Sequence, residues 1–191
     1  GTTNRLVSFV DFAPTLLSLA GVDPHTSGKG YYLHGHAFMG THGVAPTGYL
    51  FGFRDRMDER YDMSRSLRDA RYLYVRNFMP HRPQGQFLSY MFETPTTRVW
   101  KRLFDEGKLN AAQSFFFRPK PAEELYDTQA DPDNLTNLVN SASHARILGR
   151  FRAAFRGHVS SIPDFGFLPE SEIHARLLNR DPYDVFNTAL L

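Results

Sequence analysis

The chain has 191 residues, enough for one domain of ordinary size, and its 41% apolar and 22% charged residues suit a folded globular protein rather than a disordered one. A formal charge of +2 is too small to indicate a nucleic-acid partner, and the arginines between positions 54 and 76 are interleaved with acids. Cysteine is absent, which excludes disulfides, cysteine metal ligands and a thiol nucleophile within these residues, and no apolar run approaches the roughly 20 residues that cross a bilayer.

The chain opens Gly1-Thr2-Thr3-Asn4 with no initiator Met and no visible signal peptide, and is expected to be a piece of a longer protein. Val10, Ala13, Leu16, Leu17 and Ala20 recur at helical spacing and predict a helix from Val10 or Asp11 to Ala20, with Pro14 in its first turn and Gly21 as its stop. Phe9 and Phe12 fall off that face, so the helix is expected to be covered on more than one side. Residues 22–48, rich in Gly and His, read as loop. Runs 49–53, 63–67 and 72–77 predict three strands, antiparallel because the connections are too short for parallel crossovers. Residues 78–92 read as a packed loop, and Thr96 or Thr97 would cap a helix over 98–106 that Gly107 ends. A shorter helix is predicted over 110–116, a fourth strand over 124–127, and then the turn Asp131-Pro132-Asp133-Asn134. The longest helical pattern covers 143–159, with Ile147, Phe151, Ala154, Phe155 and His158 on one face; Pro163 ends it, and a last short helix covers 171–178. The fold class is α/β of the α+β kind: about four antiparallel strands packed by one long helix.

Val10-Asp11-Phe12-Ala13-Pro14-Thr15-Leu16-Leu17, closing on Leu19-Ala20-Gly21, is similar to the helix that closes the large catalytic domain of sulfatases, members of the alkaline phosphatase superfamily. Leu33-His34-Gly35-His36-Ala37-Phe38 stands where that family has a Gly-Arg-Ser-Leu-like turn, with His36 in place of the Arg. Glu124-Leu125-Tyr126-Asp127, then Asp131-Pro132 and Asn137-Leu138, resembles the family's late signature before its final helix. Phe51-Gly52, Asn77, Met79-Pro80, the long insert before Glu124 and the stretch from Pro163-Asp164 to Pro169 are closest to the heparan N-sulfatase (sulfamidase) branch. The resemblance implies that residues 1–48 are the edge of a catalytic domain, 49–165 a C-terminal subdomain and 166–191 a tail. It implies a missing N-terminal catalytic domain as partner, a sulfated sugar or other sulfated small molecule as substrate, and a periplasmic, secreted or lysosomal setting. Self-association of the isolated piece is expected where that domain is absent.

Enzymes of this type use a formylglycine, made from Cys or Ser in a Cys/Ser-x-Pro-x-Arg motif, whose hydrate attacks sulfur beside calcium or a similar divalent cation. Here the sole Ser-x-Pro, Ser161-Ile162-Pro163, is followed by Asp164-Phe165 without the Arg, and there is no Asp-Asp pair to begin a metal site. Asp133-Asn134 imitates the family's metal-ligand pair but lies in the late turn. His34, His36 and His42 lack a carboxylate or Cys partner, and read as loop residues rather than a metal cluster. Asn134-Leu135-Thr136 is a glycosylation sequon, a triplet common by chance, and Arg152 and Arg156 read as a solvated helix face. No catalytic or metal-binding residue is therefore expected in these residues, and no hydrolysis by them alone.

In the family the segment after the first strand runs past the mouth of the active site, which makes Arg54, Asp55, Arg56, Asp58 and Glu59 the candidate substrate-binding residues. Guanidinium forks suit sulfated or carboxylated sugars; the alternative is a set of surface ion pairs at a strand end. A non-catalytic binding or scaffold module, or part of a phosphodiesterase or phosphonate hydrolase of the same superfamily, are the other functional readings.

Overall fold

The computed structural model describes residues 2–25, 33–178, 180 and 185. Four strands, β1 (Leu50–Arg54), β2 (Ser64–Arg68), β3 (Tyr72–Asn77) and β4 (Glu123–Asp127), form an antiparallel sheet in the order β1-β2-β3-β4. Asp69 sets the turn between β2 and β3, its Oδ1 accepting from the backbone N–H of Arg71 at 2.8 Å and of Tyr72 at 2.6 Å. The register brings Phe51, Leu67, Tyr74 and Leu125 abreast on one face. The helix α5 (Ala145–Ser161) lays Leu148, Phe151 and Phe155 on that row, and these residues with Tyr72 make the core. Phe155 meets the Tyr74 ring edge-on at 5.5 Å, and Phe151 meets Tyr49 at 5.7 Å. Fully burying one such ring stabilises by about 1.5–3 kcal/mol relative to leaving it in water.

The other sheet face carries Leu73, Val75, Glu124 and Tyr126 at the alternate positions. Glu124 is buried there because it is paired: it accepts from Asn77 Nδ2 at 2.5 Å and from the Tyr126 hydroxyl at 2.7 Å. Between β3 and β4 the chain makes three short helices, α2 (Ser89–Glu93), α3 (Pro95–Asp105) and α4 (Ala111–Ser114), then a 3-10 turn Phe115–Phe117. Trp100 stacks on Phe116 at 4.8 Å and meets Phe117 at 4.9 Å. Gly85 donates to Phe116 O at 2.7 Å, and a Cβ at this position would sit 2.6 Å from the Phe117 ring, so only glycine fits where the loop crosses the aromatic cluster.

Most expected elements are present with ends moved by one or two residues. The helix expected from 98 starts at Pro95, with extended Thr94 as N-cap, because proline at the first helical position is pre-set for the helix. The expected loop 78–92 ends in α2, and the short helix after Asn110 tightens into the 3-10 turn. In α5 the expected face omitted Leu148, which is buried. The last helix, α6, is Glu170–Leu177. Residues 26–32 of the expected loop and most of the chain beyond 178 lie outside the described residues.

The first helix differs most from its expectation. A 3-10 turn Phe9–Asp11 leads into α1 (Phe12–Leu19), whose buried residues are Pro14, Thr15 and Ser18. Thr15 Oγ1 accepts from Phe38 N at 3.0 Å, Ser18 Oγ from His42 N at 2.8 Å, and Asp11 Oδ1 from His36 N at 3.0 Å. Gly35 lies so close that a Cβ would sit 2.0 Å from Val10 O. The glycine-rich loop is thus seated on the polar side of α1, while Leu16, on the expected apolar face, is 68% exposed.

Candidate functional site

Strand β1 ends at Arg54, and the chain then makes a tight excursion before β2. Met57 and Arg60 pair backbone to backbone at 2.9 and 3.0 Å, with Asp58 in the left-handed region at φ 50°, a conformation Asp tolerates better than most residues. This small hairpin is pinned to α2: Asp58 Oδ2 accepts from the Tyr90 hydroxyl at 3.1 Å and Glu59 Oε1 from Ser89 N at 3.3 Å. The Glu59 carboxyl is held below its ordinary value, first by its own backbone N–H and then by Ser89.

At the root of the excursion lies Arg65 of β2, almost wholly buried on the core face of the strand. Its Nε and Nη2 donate to both oxygens of Asp164 at 2.6 and 2.7 Å, and its Nη1 donates to Asp55 Oδ1 at 2.9 Å and Ser64 O at 2.8 Å. All three guanidinium nitrogens are spent, so the charge is paired and its donors are satisfied. Burial pushes the Asp164 carboxyl up, but the Arg65 hydrogen bonds outweigh it and the group titrates below its ordinary value. A second buried pair, Lys120 Nζ with Asp62 Oδ1, closes the far end of the excursion, where Asp62 also accepts from Met63 N at 2.9 Å.

The five expected site residues do not converge on one cavity. Asp55 and Arg56 line a cavity of about 290 Å³ with Asp62, Met79, Glu170 and His174. Arg56 is bound there to Glu170 of α6 by two hydrogen bonds, Nε at 2.7 Å and Nη2 at 2.5 Å, and this contact is the main reason Glu170 titrates below its ordinary value. Arg54 approaches Asp62 only at 3.9 Å. A neighbouring apolar cavity of similar size, between β1 and the end of α5, shares Asp55, Phe165 and Gly166. There His158 stacks on Phe51 with ring centroids 3.4 Å apart, and burial lowers its pKa while Asp164 partly offsets that.

Sequence pattern does not mark Arg65, Asp164, Lys120 or Glu170 as site residues. One signal was available: Arg65 alternates with Ser64 and Ser66 on the same side as Leu67, and a charge on the core face of a strand needs a partner. Asp55 is near in sequence, but the partner Asp164, 99 residues away, carries no local signal. Among the described residues no group of three or more His, Asp or Glu side chains could hold a metal ion.

No protein-family model matches the chain. Two ulvan-active sulfatases of Formosa agariphila are similar in sequence. The first is 40% identical over 178 residues, which are 92% of this chain and 29% of the relative. The second is 28% identical over 153 residues, 76% of this chain and 27% of the relative. The solved structure of a 2-O GAG sulfatase superposes with a TM-score of 0.52 at 19% identity, covering 97% of this chain and 30% of that one, and shares its fold. The chain spans 29% and 27% of the length of the two curated relatives. By sequence and fold it is sulfatase-like, and it matches the C-terminal part of these longer proteins.

Proposed function

We propose that this chain is the C-terminal part of a sulfuric ester or sulfamidate hydrolase, bracing a preceding catalytic domain and lining one wall of its substrate pocket. The observation that carries the reading is α1. Its polar side is filled by its own loop, while Phe9, Val10, Phe12, Leu16 and Leu19 form an exposed apolar strip of the kind that marks an interface. The identity to a longer sulfatase supports the nature of the missing layer. On this reading residues 1–48 are the edge of the catalytic domain, 49–165 the C-terminal subdomain and 166–191 a tail. The nucleophile and cation would be held by the preceding domain, where formylglycine would supply the attacking oxygen and calcium or a similar ion the charge neutralisation. The described residues of this chain contribute binding and support.

The proposed substrate is a sulfated sugar, and the relatives in sequence are named as ulvan-active sulfatases. Of the candidate residues Arg54 is the most available, since its contact with Asp62 is long. Arg56 would bind an anionic group only in exchange for Glu170, and Asp55 is committed to Arg65. Asp58 and Glu59 would meet hydroxyls on the rim of the hairpin. The sulfamidase-like branch rests on Phe51-Gly52, Asn77 and Met79-Pro80, and is the finer part of the proposal.

The test is kcat/KM of Arg54→Ala and Arg56→Ala in the complete protein, against a sulfated oligosaccharide and a small aryl sulfate. Loss of a charged hydrogen bond should reduce kcat/KM on the oligosaccharide about tenfold, mostly through KM, and spare the aryl sulfate. Small, equal effects on both would withdraw the pocket assignment. Comparing N-sulfated with O-sulfated glucosamine decides the branch, which fails if only the O-sulfate is cleaved.

A further inference from the structure

We infer that the cleft between the second face of the sheet and the aromatic insert is a binding site for an uncharged sugar ring of a saccharide chain. The cleft encloses about 780 Å³, inside the roughly 300–1,000 Å³ typical of small-molecule sites. It lies on the sheet face opposite α5 and shares no lining residue with the cavities around Arg56 and His158.

One wall is aromatic and pre-arranged. Trp100, Phe115 and Phe116 line it; Trp100 and Phe116 are already stacked on each other, and the indole N–H is spent on Gln113 O at 2.9 Å. The close approach of Gly85 holds Phe116 and Phe117 in place. These rings offer apolar surface of the kind that packs on the C–H face of a pyranose.

The lining also carries unspent polar side chains. Asn134 lines the cleft, and its Oδ1 is a buried acceptor with no hydrogen-bond partner, a condition that native structures rarely leave unexplained. Among the described residues the side chains of Gln84 and Arg118 make no hydrogen bond or ion pair either. Amides and a guanidinium beside apolar rings provide both donors and acceptors for hydroxyl groups. The charge balance argues against an anionic ring: Arg118 is set against Asp133 and Glu124 in the same lining. The site therefore differs in chemistry from the proposed sulfate-binding residues, and its occupancy does not depend on where hydrolysis takes place.

Trp100 is the sole tryptophan of the chain, so its fluorescence reports on this cleft directly. The chain is titrated with cellohexaose, xylohexaose and mannohexaose, and with dextran sulfate as an anionic counter-probe. A saturable emission change is expected with at least one neutral hexasaccharide, at lower concentration than with dextran sulfate. Phe115→Ala removes a half-exposed ring, and Asn134→Gly removes the amide while keeping the left-handed backbone at φ 54°. Each should raise Kd about 3- to 10-fold, the effect of one lost contact, while Arg54→Ala leaves it unchanged. Absence of a saturable change with all three neutral sugars overturns the assignment. So does tighter binding of dextran sulfate, or a Kd that neither cleft variant moves.

Discussion

Helices α5 and α1 are both amphipathic by spacing, yet they meet their surroundings in opposite ways. α5 lays Leu148, Phe151 and Phe155 on the sheet and is tied down at its flanks, where Arg150 donates to Asp69 at 2.7 Å and Arg152 pairs with Glu123. α1 keeps Thr15 and Ser18 inside and leaves its largest apolar side chains in solvent, Phe9 just before it being 86% exposed. Apolar periodicity thus identifies a face that needs a partner, and does not say whether the partner is in the same piece of chain. In α5 it is. In α1 the inner contact is a loop whose backbone N–H groups need hydroxyl and carboxylate acceptors, which puts the polar side inward.

The contrast can be broken most forcefully at Phe151, whose side chain is fully buried. Phe151→Ala should cost about 3–5 kcal/mol by leaving a cavity against Tyr72 and Tyr74, read from urea unfolding midpoints. A loss as small as that of a surface change would mean that α5 does not carry the core. Next comes Arg65→Met, which strands Asp164 and Asp55 and should cost about 3 kcal/mol. A cycle with Asp164→Asn should show strong coupling, and additive losses would deny the pairing.

Acid gives a smaller, graded effect. Asp164, Asp69 and Glu123 titrate below their ordinary values in the fold, and Asp127, held chiefly by Arg71, titrates down to about 2. Groups whose folded pKa is depressed add stability that is complete above the unfolded value and is lost as pH falls through the folded one. Unfolding midpoints should therefore drop between about pH 4, the ordinary carboxylate range, and about pH 2. His158, also depressed, adds a slight loss starting below about pH 6.5. Midpoints that stay flat from pH 7 to pH 3 would contradict these pairings.

The smallest effect on stability belongs to Leu16→Ser on α1, expected within about 0.5 kcal/mol of the parent. Its visible consequence lies elsewhere: the isolated chain should self-associate through the strip, and the substitution should weaken that association. Sedimentation velocity across concentrations decides it, and a parent chain that stays monomeric throughout removes the strip as an interface.

Much of the sheet was legible because β-branched and aromatic runs stand between turn formers, so that 72–77 matches β3 to the residue. The α5 stripe was legible for the same reason of spacing, although Leu148 escaped it. At α3 the cap is Thr94, two or three residues before the expected Thr96 or Thr97, since the Thr94-Pro95 start competes with both within one short run. The candidate site was legible as a place, the end of the first strand, and not as a set of contacts. Arg56 finds Glu170 across 114 residues and Arg65 finds Asp164 across 99. Such pairings are decided by how α5 and the tail return to the sheet, which local pattern does not encode.

The Arg65–Asp164 contact also has a bearing on how the chain is made. Its hairpin β1–β2 is complete in backbone terms by residue 68 and already holds Asp55, yet Asp164, the carboxylate that takes both Nε and Nη2 of the buried guanidinium, is synthesised 99 residues after Arg65. Until α5 has been extruded and has folded back, the Nε–Nη2 edge of that arginine must stay hydrated and the core face of the hairpin open to water. The last third of the chain to emerge therefore locks the first pair of strands. Ribosome stalling or proteolytic clipping ahead of residue 164 would release a sheet still able to unzip from its β1 edge.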